Sequence, residues 1–366
     1  MMNKIRKVIY LLVIVMLFSI STVSASEAKV VQDDVKTLTL EEAVGRAKQR
    51  NKQLKLQQKN IDFAKKDLEE AYDDYKNTSE YAYEHANLNY SVKRAEKDYA
   101  QKAESLWEEK VTYDVEMQFD AIIDAEEKYD LAQKQLKMQE EKNRNTARKE
   151  QLGLASKADI KVNKVSLDTH RQEIKNLDQT ITAEYRKLAD KIGNKVQRYH
   201  LVKENIYTPV DQKRSLEAYI SYAVDMNPSI WLQGEKAKLQ EGIIGVNAMD
   251  GSGAPTYTAY EKSKIQYEQA LMGVSAVKET AELGLKDLYQ AILELEIQYE
   301  KALISLEEIK RQSSILEKQY ELGFIPLLTL EEARLDIIQN RTQINSLIRQ
   351  HNKLKIQFEK SYIMQL

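Results

Sequence analysis

The sequence predicts an all-α protein built from two tandem repeats of long antiparallel coiled-coil helices. Three observations carry that expectation. Glycine and proline are scarce, 11 and 4 in 366 residues, while Ala, Glu, Lys, Leu and Gln abound, as in long helices. Apolar residues recur in steps of three and four, the spacing of a heptad seam. The chain also resembles itself at an offset of 170 residues.

The elements follow in order. Lys4, Arg6 and Lys7 precede the apolar run VIYLLVIVMLF (8–18), and Val23 and Ala25 fit a small-residue cleavage site. Residues 1–25 therefore read as an export signal, with an uncleaved anchor as the alternative. The run is too short to span a bilayer comfortably, and no later stretch reads as a transmembrane helix. A first helical repeat is expected over 38–192, a linker over 193–213 and a second repeat over 214–364. In the first repeat, short helices at 39–50 and 52–76 precede a polar turn (75–90) and a long helix from 91 to 150. A return helix runs from Ser156 to Ile192. In the second, the glycine-rich loop 247–257 replaces the polar turn, the long helix covers 258–321 and the return helix 327–364.

The 170-residue offset pairs Val115 with Leu285, Ile122 with Ile292, Tyr129 with Tyr299 and Ala132 with Ala302. Nearer the N-terminus, LTLEEAVGRAKQRN (38–51) matches RSLEAYISYAVDMN (214–227) at 176. The first half is thus six residues longer between Asn51 and Val111, and a connection should lie there. The long helices carry apolar residues off the seam as well, enough for more than one neighbour. Stacked short helices beside each long one give a four-column slab whose lateral edges stay apolar unless identical chains cover them.

Both long helices end at Leu-Gly-apolar. Gly153 and Gly323 suit the left-handed conformation that closes a helix. Ser156 with Asp159 reads as a capping pair. Pro326 suits a first helical turn, and Thr329 with Glu332 offers a second cap. Leu154, Ala155, Phe324 and Ile325 fall at the tips of these hairpins. They either pack back to close the hairpin or form a docking surface for a partner.

The ordered set LTLEEAVGRAKQRNKQLKLQQ, EQLGLASKADI and YELGFIPLLTLEEARL, duplicated over about 38–364, resembles the TolC-like outer-membrane efflux family. That resemblance implies an α-barrel protomer, a homotrimeric tunnel and a role in efflux. It also implies tips at 153–159 and 323–329 that meet a periplasmic-type adaptor and an inner-membrane pump. The family's acidic constriction falls on Thr329 and Glu332, of which only Glu332 is acidic here; the alternative is an ordinary helix carboxylate or cap. The basic residue that members can carry in the tip turn falls at Ile325. Members insert two membrane strands per half, of about 9–11 residues each. The segments 77–90 and 247–257 are too short or too charged for that, so the spanning strands read as missing or vestigial. An exported envelope protein is expected, placed in the outer membrane by resemblance alone.

Other chemistries find little support. A net charge of −2 gives no basic field for nucleic acid. His85, His170, His200 and His351 lack metal-ligand spacing, and no nucleotide-binding motif occurs. The chain has no cysteine, hence no disulfide framework and no thiol to carry a lipid tether. No enzyme and no cofactor are expected. The competing functional class is a non-conducting extracytoplasmic coiled-coil scaffold that binds a membrane complex.

Overall fold

The computed structural model describes residues 36–79, 82–210, 215–248 and 257–365. The export signal and most of the 247–257 loop lie outside them. The first repeat comprises strand β1 (Thr37–Thr39) and helices α1 (Leu40–Arg50), α2 (Lys52–Asn77), α3 (Tyr83–Gln151) and α4 (Lys157–Ile192). Strand β2 (His200–Val202) follows. The second repeat comprises α5 (Leu216–Asp225), α6 (Pro228–Ala248), α7 (Tyr257–Glu321) and α8 (Leu327–Glu359). A final 3-10 turn covers Ser361–Gln365. Among the described residues no helix is long and apolar enough to cross a membrane.

Local chemistry explains most boundaries. Thr39 caps α1, its hydroxyl accepting from the Glu42 N–H at 3.2 Å. Asn51 interrupts the α1–α2 column in extended conformation, and its side chain caps α2 through the Gln53 and Leu54 N–H groups. At ~1.5 Å per residue, the 69 residues of α3 span roughly 100 Å.

The seam residues form the cores. Val115, Phe119 and Ile122 of α3 pack with Ile181, Tyr185 and Leu188 of α4 and with Ala43 and Ala47 of α1. Leu285 and Ile292 of α7 occupy the matching positions against Ile220, Val224 and Phe358. The first repeat also packs on the second: Leu106 and Tyr113 of α3 enclose Ile363 of the terminal turn, and α3 packs along α6 and α8. α3 is therefore covered on two sides, whereas α7 packs mainly on α5, α6 and α8 of its own repeat.

Two expectations need correction, and one feature carries no signal in the sequence. The long helix of the first repeat starts at Tyr83 rather than residue 91, leaving only 78–82 as the connection. Tyrosines across the α2–α3 hairpin account for the extra turns: Tyr75 stacks on Tyr90 at 5.8 Å, and Tyr72 meets Tyr90 at 5.7 Å. Second, the return helix stops at Glu359, because the chain turns to drive Ile363 into the inter-repeat core. A two-stranded parallel pairing, Thr37 with His200 to Thr39 with Val202, ties the linker to the N-terminal segment. Three residues per strand leave no readable alternation.

Candidate functional site at the hairpin tips

Both tips are built by the same backbone device. In the first, Gly153 sits at φ +71°. Its N–H donates to the Glu150 carbonyl at 2.9 Å, and the Leu154 N–H reaches the Lys149 carbonyl at 2.7 Å. In the second, Gly323 sits at φ +77°. Its N–H meets the Tyr320 carbonyl at 2.9 Å, and the Phe324 N–H meets the Gln319 carbonyl at 2.8 Å. These crossed bonds satisfy the last carbonyls of a helix and reverse the chain.

The two restarts differ. Ser156 and Asp159 form a full capping box: the Asp159 N–H donates to Ser156 Oγ at 3.2 Å, and the Ser156 N–H donates to Asp159 Oδ2 at 2.8 Å. The Ser156 N–H, and after it the Ser156 hydroxyl donating to the same Asp159 Oδ2 at 2.8 Å, hold the Asp159 carboxyl below the usual carboxylate range. In the second tip the expected Thr329–Glu332 cap does not form. Pro326 takes the N-cap position, one residue ahead of the helix rather than within its first turn, and no side chain caps α8. Thr329 instead donates its N–H to the Pro326 carbonyl at 3.1 Å, three residues past the N-cap position and too far into the helix for its hydroxyl to cap.

The structure divides the apolar tip residues. Ala155 and Ile325 are half-buried. Leu154 and Phe324 are 74% and 76% exposed, and their neighbours Leu152 and Leu322 are exposed to a similar degree. Side chains left this far in water contribute little to closing the hairpin.

Glu332, the acidic candidate for a constriction, is held by Lys142 of α3, with Nζ 2.6 Å from Oε1. Lys142 carried no sequence signal. Deeper along the same inter-repeat seam, buried Arg349 of α8 donates to Asp124 at 2.9 Å and Glu127 at 2.7 Å. Lys203 of the linker holds both Asp120 oxygens at 2.7 Å. Burial pushes the Asp124 carboxyl up, but hydrogen bonds from Lys128 and Arg349 outweigh it and the net shift is downward. For Asp120, burial prevails over Lys203 and the carboxyl is raised. Sequence reasoning missed this seam. Its one available signal was Arg349 beside the apolar run Ile344, Leu347 and Ile348.

A tandem pair of long helical hairpins with short helices stacked beside each long one defines the TolC-like channel fold, and this chain has it. The CusC channel superimposes with a TM-score of 0.67 at 10% identity, covering 90% of this chain and 92% of that one. VceC, an outer-membrane protein of Vibrio cholerae, gives 0.65 at 11% identity, covering 88% and 96%. The CmeC outer-membrane channel of Campylobacter jejuni gives 0.62 at 15% identity, covering 88% and 85%. No protein-family model matches the sequence, and no curated protein matches it.

Proposed function

We propose that the chain is an exported cell-envelope protein, one subunit of a closed helical conduit. It acts in efflux and docks an adaptor and its inner-membrane pump by the hairpin tips. A homotrimer is the assembly that the fold likeness favours.

The unequal burial of two equivalent helices carries this reading. On α3, Leu106, Tyr113, Met117, Asp120, Asp124 and Glu127 are buried or half-buried against the second repeat. Their counterparts 170 residues later on α7 are Ala276, Leu283, Asp287, Gln290, Glu294 and Ile297, and all six are exposed. The opposite edge repeats the pattern. Glu332, Leu335, Thr342, Asn345 and Arg349 of α8 are buried or half-buried, whereas the α4 counterparts Val162, Val165, Gln172, Lys175 and Gln179 are exposed. A second copy placed on the first as the second repeat sits on the first repeat covers the α7 edge of one chain with the α4 edge of the other. Repeating that step closes a ring.

A specific observation favours a second reading. Five residues separate α2 from α3 in the sequence and eight separate α6 from α7. Each stretch is shorter than one spanning strand of about 9–11 residues. The same fold without a membrane pore suits a non-conducting scaffold that engages a membrane complex by its tips. Deletion of the gene followed by dye accumulation separates the two. The conduit reading expects accumulation to rise and the wild-type gene to restore efflux, while a Phe324→Asp, Leu154→Asp chain does not, though it is expressed and helical. Unchanged accumulation in the deletion strain overturns the efflux role and leaves the scaffold.

A further inference from the structure

A cavity of about 640 Å3 opens where α3, the α5–α6 junction and the terminal 3-10 turn meet. Tyr219, Tyr222, Met226, Trp231 and Tyr362 line it. Three carboxylates, Glu109, Asp225 and Glu359, stand around them. The repeat plan does not require these residues. At the same junction of the first repeat, 176 residues earlier, Tyr219, Tyr222, Asp225 and Trp231 are matched by Ala43, Arg46, Gln49 and Lys55. One junction is aromatic and acidic while its twin is small and basic, so the set serves something other than stacking two short helices.

A cation already occupies the best seat. Lys102 Nζ lies 3.9 Å from the centroid of the Trp231 ring, and tryptophan offers the most favourable face for a positive charge. Lys102 is itself exposed, on a long flexible stem that leaves easily. The carboxylates are unequally engaged. Lys360 holds Glu109 at 2.8 Å, but Lys278 reaches Asp225 only at 3.4 Å and Lys355 reaches Glu359 only at 3.9 Å. The tyrosines register the resulting field: burial, then the Glu359 charge, push the Tyr219 hydroxyl up to about 12. Tyr362 is raised by burial and then by Glu109.

We propose that this cavity binds an organic cation with an apolar body. The cationic centre takes the place of Lys102 on Trp231 and faces Asp225 and Glu359. The apolar body lies against Tyr219, Tyr222, Met226 and Tyr362. The volume falls within the range of about 300–1,000 Å3 typical of drug-sized ligands. The site stands whether or not the chain forms a conduit.

Trp107 and Trp231 are the two tryptophans of the chain, so Trp107→Phe leaves Trp231 as a single reporter. Tetraphenylphosphonium titrated into that protein should quench the remaining fluorescence saturably. Tetraphenylborate, of the same shape and opposite charge, should bind about tenfold or more weakly. Asp225→Asn with Glu359→Gln should weaken phosphonium binding by about tenfold, as should Tyr222→Ala. These side chains are exposed, and circular dichroism checks that the helices persist. Lys102→Met should tighten phosphonium binding by vacating the seat. Absence of saturable quenching overturns the site. Equal binding of both ions overturns its cation selectivity, and binding indifferent to the carboxylate pair places the ligand elsewhere.

Discussion

Leu283 and Leu285 lie two residues apart on α7 and lead to opposite predictions. Leu285 is 3% exposed and sits in the core of the second repeat. Leu285→Ala should destabilise the subunit by about 2–5 kcal/mol. Leu283 is 61% exposed, so Leu283→Ala should leave the isolated subunit unchanged within about 0.5 kcal/mol. In the proposed ring it faces a neighbouring copy. Tyr113, its counterpart on α3, is buried by the second repeat, and a neighbouring copy should bury Leu283 likewise. Full burial of a leucine is worth about 1.5–3 kcal/mol, so the exposed three-fifths is worth about 1–2 kcal/mol per seam. Leu283→Glu also strands a carboxylate in the seam, at a cost of several kcal/mol more. Urea unfolding and light scattering on each variant read the two effects separately. Leu285→Ala should lower the unfolding midpoint, and Leu283→Glu should give a helical monomer. A Leu283→Glu chain that assembles like the wild type, or that unfolds like Leu285→Ala, refutes the reasoning.

Other perturbations test other parts. Gly323→Ala forces a Cβ into a left-handed residue at φ +77° with nothing within 4 Å to clash. The cost is therefore backbone strain, about 1–2 kcal/mol, visible as faster amide exchange around the second tip. Arg349→Met removes a buried guanidinium from two carboxylates that are 23% and 31% exposed. With that solvent access the loss should be about 2–4 kcal/mol in urea unfolding, below that of a fully buried pair. Acid should act on one tip first. Because the Asp159 carboxyl is held below its ordinary value, its contribution is present above the ordinary carboxylate range and disappears as pH falls through the depressed value. Protection from amide exchange, taken relative to the intrinsic rate at each pH, should fall at residues 156–160 in acid and stay constant at 327–331, where no side chain caps the helix.

Much of the architecture is legible in the sequence because helix periodicity and glycine corners are local signals. Gly153, Gly323 and the Ser156–Asp159 box stand where spacing places them, and the paired seam residues fill both cores. What is not legible depends on residues far apart in sequence. Tyr75 and Tyr90 extend α3 only because α2 returns beside it. Ile363 ends α8 because a pocket on α3 receives it. Lys142 and Glu332 meet across 190 positions. The tip residues likewise divide by rotation about a turn that residue type cannot encode: Ala155 and Ile325 are half-buried, whereas Leu154 and Phe324 are exposed.

The lack of any cysteine permits the most direct test of how copies meet. Repeat equivalence carries the Arg349–Glu127 contact of one chain onto Gln179 of one copy and Ile297 of the next. A Gln179→Cys, Ile297→Cys chain treated with a short thiol cross-linker should give a denaturing-gel ladder that stops at a closed ring of three. Each single variant should stay uncross-linked. A double variant that remains monomeric under conditions where both thiols react contradicts the account.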